Sequence, residues 1–308
     1  MKRGTKISLA WALMGLAAAI GCGCGSAAAQ DASPSAIVLP ARIVAGETAT
    51  LAVLESAGRL VPNATVEVPG RSEKITTDET GRATFTMPTA PAPAGTTPSN
   101  PGVLTVRLPG GADFTAPVIA ATAGTPPVPS LTGGAKATRA PGIVFPRGIA
   151  LGDRFAIEGA GFRGDASLDH VFLGNQEALV LAASPVDLVV LPDSRTPLGK
   201  TQLIVQVNGR RLAEEAITVV SIGISGPSKA LAAQEKGVLI VEVKGTRERV
   251  PIEVRNLSPE VVRLPRGNEV VVTTSGRSPN IAKVEITGVG PGDYAVSARL
   301  APGAAASR

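Results

Sequence analysis

The chain has 308 residues, of which 44% are hydrophobic and only 3% aromatic, with 30 basic and 25 acidic residues for a net charge of +5. Lys2, Arg3 and Lys6 supply three of the basic residues; the remaining 27 against 25 leave +2, which lacks the electrostatic footprint of a nucleic-acid binder. Both cysteines, Cys22 and Cys24, lie near the start, and the single histidine is His170. The folded part can therefore hold no disulfide, no cysteine-based metal or nucleophile site and no histidine cluster for zinc.

The first segment, residues 1–29, has the layout of a secretory signal peptide: a basic start at Lys2, Arg3 and Lys6, an apolar run over 7–20, then small residues. That run is too short to cross a bilayer. Two processing sites follow it. Ala27, Ala28 and Ala29 offer an A-x-A cut after Ala29. Ala19-Ile20-Gly21-Cys22 resembles a bacterial lipobox, which implies lipidation of Cys22, with 23–34 as a flexible tether. Either route places the protein outside the cytoplasm, in the periplasm, on the outer membrane as a lipoprotein, or secreted. Membrane contact would then run only through the N-terminal lipid.

Residues 35–122 read as the first β-sandwich. Apolar residues alternate with Thr, Glu and Arg at Ala49, Leu51 and Val53, at Ala64, Val66 and Val68, and at Ala83, Phe85 and Met87. Period two puts one face of each strand on a core and the other in water. Asp78-Glu79-Thr80-Gly81 is the turn before the third of these. Residues 88–102 form a Pro/Thr/Ala-rich excursion unsuited to a sheet centre, and 103–108 resume the strands. The stretch from Gly58 to Phe85 resembles bacterial Ig-like and carboxypeptidase-regulatory-like domains. Residues 123–141, with Pro126-Pro127, Pro129 and Gly133-Gly134, read as an extended Pro/Gly linker that lets its neighbours reorient.

Residues 142–222 carry the most specific pattern. Gly152-Asp153 precedes Phe155 and Ile157; Gly159-Ala160-Gly161-Phe162 follows. Then come Val171-Phe172-Leu173-Gly174-Asn175, an apolar run over 178–181, another over 186–192, and Gly199 before Leu203, Val205 and Val207. This progression over about 142–220 resembles the IPT/TIG family. The resemblance implies an Ig-like, E-set sandwich, and it says little of function because one fold serves many roles.

Residues 223–300 give a further strand pattern at Leu239, Val241 and Val243, at 270–274, at Val284 and Ile286, and at Tyr294, Val296, Ala298 and Leu300. They read as a third β-sandwich. Residues 230–236 suit a helical turn or a loop, and 301–308 a tail. The expected fold class is thus all-β, a string of three Ig-like β-sandwich domains after a signal peptide.

Chemistry-bearing residues are sparse. His170 stands alone, which leaves at most one serine–histidine dyad; a strand-edge residue with a hydrogen-bond partner is its plainer role. Ser225 lacks the second flanking glycine of a nucleophile elbow and suits a linker turn. Asp78 with Glu79, and Asp165 with Asp169, are acidic pairs without the converging oxygens that calcium takes, so they read as hairpin-turn residues. The paired arginines Arg210-Arg211, Arg247 with Arg249, and Arg263 with Arg266 could meet an acidic polymer or lipid headgroup; solvated strand edges are the simpler account. After Trp11 the aromatics are Tyr294 and six phenylalanines, mostly at inward positions, which leaves few rings for stacking on a glycan or base.

No catalytic, cofactor or metal residue is assigned. The sequence points to a non-enzymatic protein-binding, adhesion or scaffold module with an envelope or extracellular protein as partner and no nucleic acid. The alternatives are an accessory module for polysaccharide binding or processing and a passive spacer.

Overall fold

The computed structural model describes residues 34–68, 74–87, 102–120, 142–227, 229 and 231–301. Cys22, Ala29, the 123–141 linker and the 302–308 tail fall outside the described residues. Every regular element described is a β-strand, so the chain is all-β. No described helix is long and apolar enough to cross a membrane.

The first sandwich uses β1 (Pro34–Val38), β2 (Ile43–Val44), β3 (Thr48–Glu55), β4 (Thr65–Glu67), β5 (Lys74–Thr76), β6 (Arg82–Thr86), β7 (Val103–Arg107) and β8 (Asp113–Ile119). One sheet runs β1-β3-β6 and the other β2-β8-β7-β4-β5. Ile43, Leu51, Val53, Val66, Leu104 and Val106 fill the space between them.

The second uses β9 (Gly148–Ala150), β10 (Phe155–Glu158), β11 (Asp169–Leu173), β12 (Gln176–Ser184), β13 (Asp187–Leu191), β14 (Gly199–Val207) and β15 (Arg210–Ser225). β12 belongs to both of its sheets. Its first residues pair with β11, and from Leu179 onward it pairs with β13, with a bulge between Val180 and Ala182 at the change-over. A bulge bends and twists a strand, which is how one strand can serve two layers. Ile157, Leu173, Leu188, Leu203 and Val205 are fully buried in the core, with Phe162 beside them.

The third uses the end of β15 with β16 (Lys236–Lys244), β17 (Pro251–Asn256), β18 (Val262–Arg263), β19 (Glu269–Thr273), β20 (Ile281–Gly288) and β21 (Val296–Leu300). Its sheets are β15-β16-β20-β18 and β19-β17-β21, closed on Leu239, Val241, Ile252, Val254 and Ile286. Residues 231–235 form a turn and no helix. β17, central in its sheet, was not anticipated: its Glu253 is buried, and is accommodated because Arg299 on β21 donates to it at 2.6 Å.

The sandwiches are not beads on a thread. In β3 every residue from Ala49 to Glu55 is buried, where alternation predicted one wet face. Ala49, Leu51 and Val53 face their own core, while Ala52 and Leu54 join Val38, Leu181 and Ala182 in a separate apolar cluster against the second sandwich. There Thr50 pairs with Ala183, so the β1-β3 sheet continues into β12 and β13. Thr50 Oγ donates to Gly164 O at 2.7 Å and accepts from Ala166 N at 3.1 Å. The approach is close enough that a Cβ on Gly164, whose φ is +72°, would stand 2.0 Å from Thr48 O; only glycine fits. At the other end, the expected boundary at 222/223 falls inside β15. This one strand pairs with β14 through Val219 and with β16 from Ser221 onward.

Candidate functional site

The side chains with the most chemistry to offer gather in a cleft of about 490 Å³ where the first two sandwiches meet, lined by Arg82, Asp169, His170, Glu177, Leu179 and Arg195 among others. Asp169 and His170 open β11, and Glu177 lies across the hairpin on β12, where it pairs with Phe172. Phe172 and His170 share a face, which makes His170 and Glu177 diagonal neighbours. His170 Nδ1 lies 2.7 Å from Glu177 Oε1, with both side chains about half exposed. The lone histidine has a hydrogen-bond partner, but on a strand flanked by β12 and β14 rather than at the sheet edge expected of it.

Asp169 sits at the same inward parity as Val171 and Leu173 and is 1% exposed. Burial pushes its carboxyl up to about 7, even though Arg163 N donates to both of its oxygens at 3.1 and 3.3 Å. Those bonds tie down the loop that carries Phe162 and Gly164, so Asp169 is the anchor of that loop. Asp165 accepts from Ser167 N and Oγ at 2.9 and 2.7 Å in a local turn, as a turn residue should, whereas Asp169, also read as a turn residue, is a buried strand residue. Among the described residues no group of three His, Cys, Asp or Glu could hold a metal ion.

The other walls come from two arginines. Arg82, from the first sandwich, donates to Val180 O at 3.1 Å and to Thr80 Oγ at 3.0 Å. Arg195 donates from Nε and Nη2 to Asp193, each at 3.0 Å, and this fork holds the Asp193 carboxyl well below its usual range. The cleft thus presents guanidinium donors, an imidazole and a carboxylate beside an exposed Leu179. That is an arrangement for polar recognition, and the Ser167 hydroxyl in the same lining donates to Asp165 at 2.7 Å.

A second buried carboxylate marks the same junction. Asp187 is fully buried; its Oδ2 accepts from Ala41 N, and its Oδ1 has no hydrogen-bond partner. Burial raises this carboxyl, against the opposing influence of the Ala41 N–H and Arg42. Arg42 itself pairs with Glu158 at 3.1 Å. Sequence reading missed Asp187 because nothing around Val186-Asp187-Leu188 distinguishes a junction residue from a turn residue.

The remaining candidates scatter. Ser225, expected in a turn, ends β15 in the third sandwich, while His170 is in the second, so they form no dyad. Asp78 Oδ1 accepts from Thr80 N at 2.8 Å and Thr80 Oγ at 2.6 Å, as a turn residue should. Arg211 pairs with Glu214 at 2.7 Å, and Arg263 is an exposed residue of β18. Phe145 and Phe162 are buried, Phe85, Phe114 and Phe155 pack against the cores, and Tyr294 OH donates to Pro227 O at 3.4 Å.

No family model matches the chain, and no curated protein matches it. Among solved structures it is similar to SGBP-B of the Bacteroides ovatus mixed-linkage glucan utilization locus, in complex with a mixed-linkage heptasaccharide. Identity there is 11% over 88% of this chain and 62% of that one, with a TM-score of 0.21. It is also similar to domains 5–6 of the S-layer protein SbsC, at 14% identity over 60% of this chain and 95% of that one, TM-score 0.22. Immunoglobulin domains 1–4 of Sidekick-1 are 12% identical over 85% of this chain and 73% of that one, TM-score 0.19. The chain spans under two thirds of the length of the first of these proteins. The all-β assignment rests on the chain's own sheets.

Proposed function

We propose that this protein is a non-enzymatic, extracytoplasmic scaffold or binding module in which an IPT/TIG-type sandwich is locked between two others, so that surfaces on separate sandwiches are held at fixed spacing. The observation that carries this reading is the coupling at both junctions: β3 shares a sheet with β12, and β15 runs unbroken through two cores. Fixed spacing matters for a binder because surfaces already oriented lose little freedom when a partner engages two of them. The secretory layout of the N-terminus supports a place in the envelope or outside the cell, and the polar junction cleft is the surface best suited to a protein partner.

The test is a distance measurement between spin labels at Val103→Cys and Val271→Cys, exposed positions in the first and third sandwiches, in a chain with Cys22→Ser and Cys24→Ser. A single narrow distance distribution is the expected result. A broad distribution, as for a hinged pair, would remove the scaffold reading.

A further inference from the structure

The third sandwich carries a largely unpaired basic surface of which the sequence shows only the Arg247 and Arg249 part. Lys244, Arg247 and Arg249 lie at and after the end of β16; Arg277 lies in the loop between β19 and β20, well along the chain from them. The fold brings the two loops together. Asn280, buried between them, donates to Thr246 O at 3.2 Å and Glu248 O at 2.8 Å. It also accepts from Gly276 N at 2.8 Å, and its own carbonyl accepts from Val243 N at 2.8 Å. Gly276, at φ +69°, allows the contact, since a Cβ there would stand 2.9 Å from Arg249 Cγ and 3.4 Å from Arg247 O.

All four cations are exposed. Among the described residues Arg247, Arg249 and Arg277 make no ion pair, and Lys244 has only Glu242 at 3.7 Å. The acidic residues beside them are Glu242 and Glu248. The loops enclose a groove of about 390 Å³ lined by Glu242, Lys244, Thr246, Arg247, Ser278 and Asn280 among others, and Arg249 and Arg277 lie on the same two loops outside that lining.

We propose that this groove and the exposed arginines of its flanking loops bind an acidic polysaccharide, with the guanidinium groups taking carboxylates and the hydroxyls of Thr246 and Ser278 meeting sugar hydroxyls. Arginine presents a planar fork that matches a carboxylate with two hydrogen bonds. Loops fixed by a fully bonded buried amide hold the backbone that carries those forks in place before the ligand arrives, which lowers the ordering cost of binding. The volume fits a small stretch of a carbohydrate chain rather than one inorganic anion. The groove has no aromatic ring in its lining for stacking a nucleic-acid base, and its exposed Pro279 sits between the polar residues Ser278 and Asn280. The inference stands independently of the scaffold reading, since a groove of this kind would bind whether or not the sandwiches are rigidly joined.

Titration calorimetry of the full chain with oligogalacturonate, and with a neutral oligogalactan as control, tests it. Expected are binding of the acidic glycan alone, weakening as salt is raised, and a loss on the order of tenfold or more in the Arg247→Ala, Arg249→Ala, Arg277→Ala triple variant. The melting temperature of that variant should match the parent, and an Arg210→Ala, Arg211→Ala control should keep full affinity. Should the triple variant unfold, Arg277→Glu, a single exposed change, carries the same expectation. No binding, equal binding of the neutral glycan, or affinity indifferent to the arginines would overturn the proposal. So would co-sedimentation with phosphatidylglycerol vesicles in the absence of glycan binding.

Discussion

The two junctions solve one problem by different means. At the first, coupling is made by removable groups: the Thr50 hydroxyl between Gly164 and Ala166, the small apolar set around Ala52 and Leu181, the Arg82 bond to Val180 O, and the Arg42–Glu158 pair. At the second, coupling is the backbone of β15 itself, flanked by β9 in parallel pairing and by Ala150 and Val220 in the core. Side-chain changes should loosen the first junction far more than the second, because no substitution deletes a continuous strand.

The largest effect is expected where both junctions depend on one core. Phe162→Ala, in the central sandwich, should cost about 3–5 kcal/mol in denaturant unfolding; a midpoint equal to the parent's would show that the Gly-Phe turn does not anchor this core. Next comes pH. The folded chain holds the Asp169 proton to about pH 7, whereas the reference carboxyl releases it near 3.8. The stability this group contributes is complete below pH 3.8 and is lost as pH rises through 7, by up to about 4 kcal/mol. Asp169→Asn should flatten that part of the stability–pH curve, and parallel curves for parent and variant would refute the assignment.

The sharpest comparison pairs one change at each junction. Thr50→Val leaves Gly164 O and Ala166 N without a buried partner, at about 1–3 kcal/mol, and should broaden the label-to-label distance distribution. Val220→Ala should cost a similar amount, about 1–3 kcal/mol, yet leave that distribution narrow. Equal broadening in both would erase the distinction between the junctions. The smallest effect belongs to Arg42→Ala, at about 0.2–1 kcal/mol, and should disappear in high salt as befits an exposed pair.

Much of this was legible in the chain. Alternation at Leu239, Val241 and Val243, and the glycines bracketing Phe155 to Gly174, placed the strands of two cores by local chemistry alone. The junctions were half written: in Thr48–Glu55 and in the run from Ala178 to Ala183, apolar residues occupy both parities, the mark of a strand covered on both faces. That signal says a face is buried without saying by what. The cleft residues His170 and Glu177 were near neighbours once the β11–β12 hairpin was drawn, whereas Arg82, Asp187 and Arg195 came to the junction from unrelated segments.

The sequence by itself determined that the chain is all-β and that its cores are aliphatic and contain no cysteine, because these follow from residue identity and short-range period. Only the tertiary structure decided that the sandwiches share a sheet and a strand, that Asp187 is sealed at their contact, and that the loop of Arg277 packs against the loop of Arg247 and Arg249. Those facts depend on which distant segments touch, and side-chain pattern along one strand specifies a buried face but not the partner that buries it.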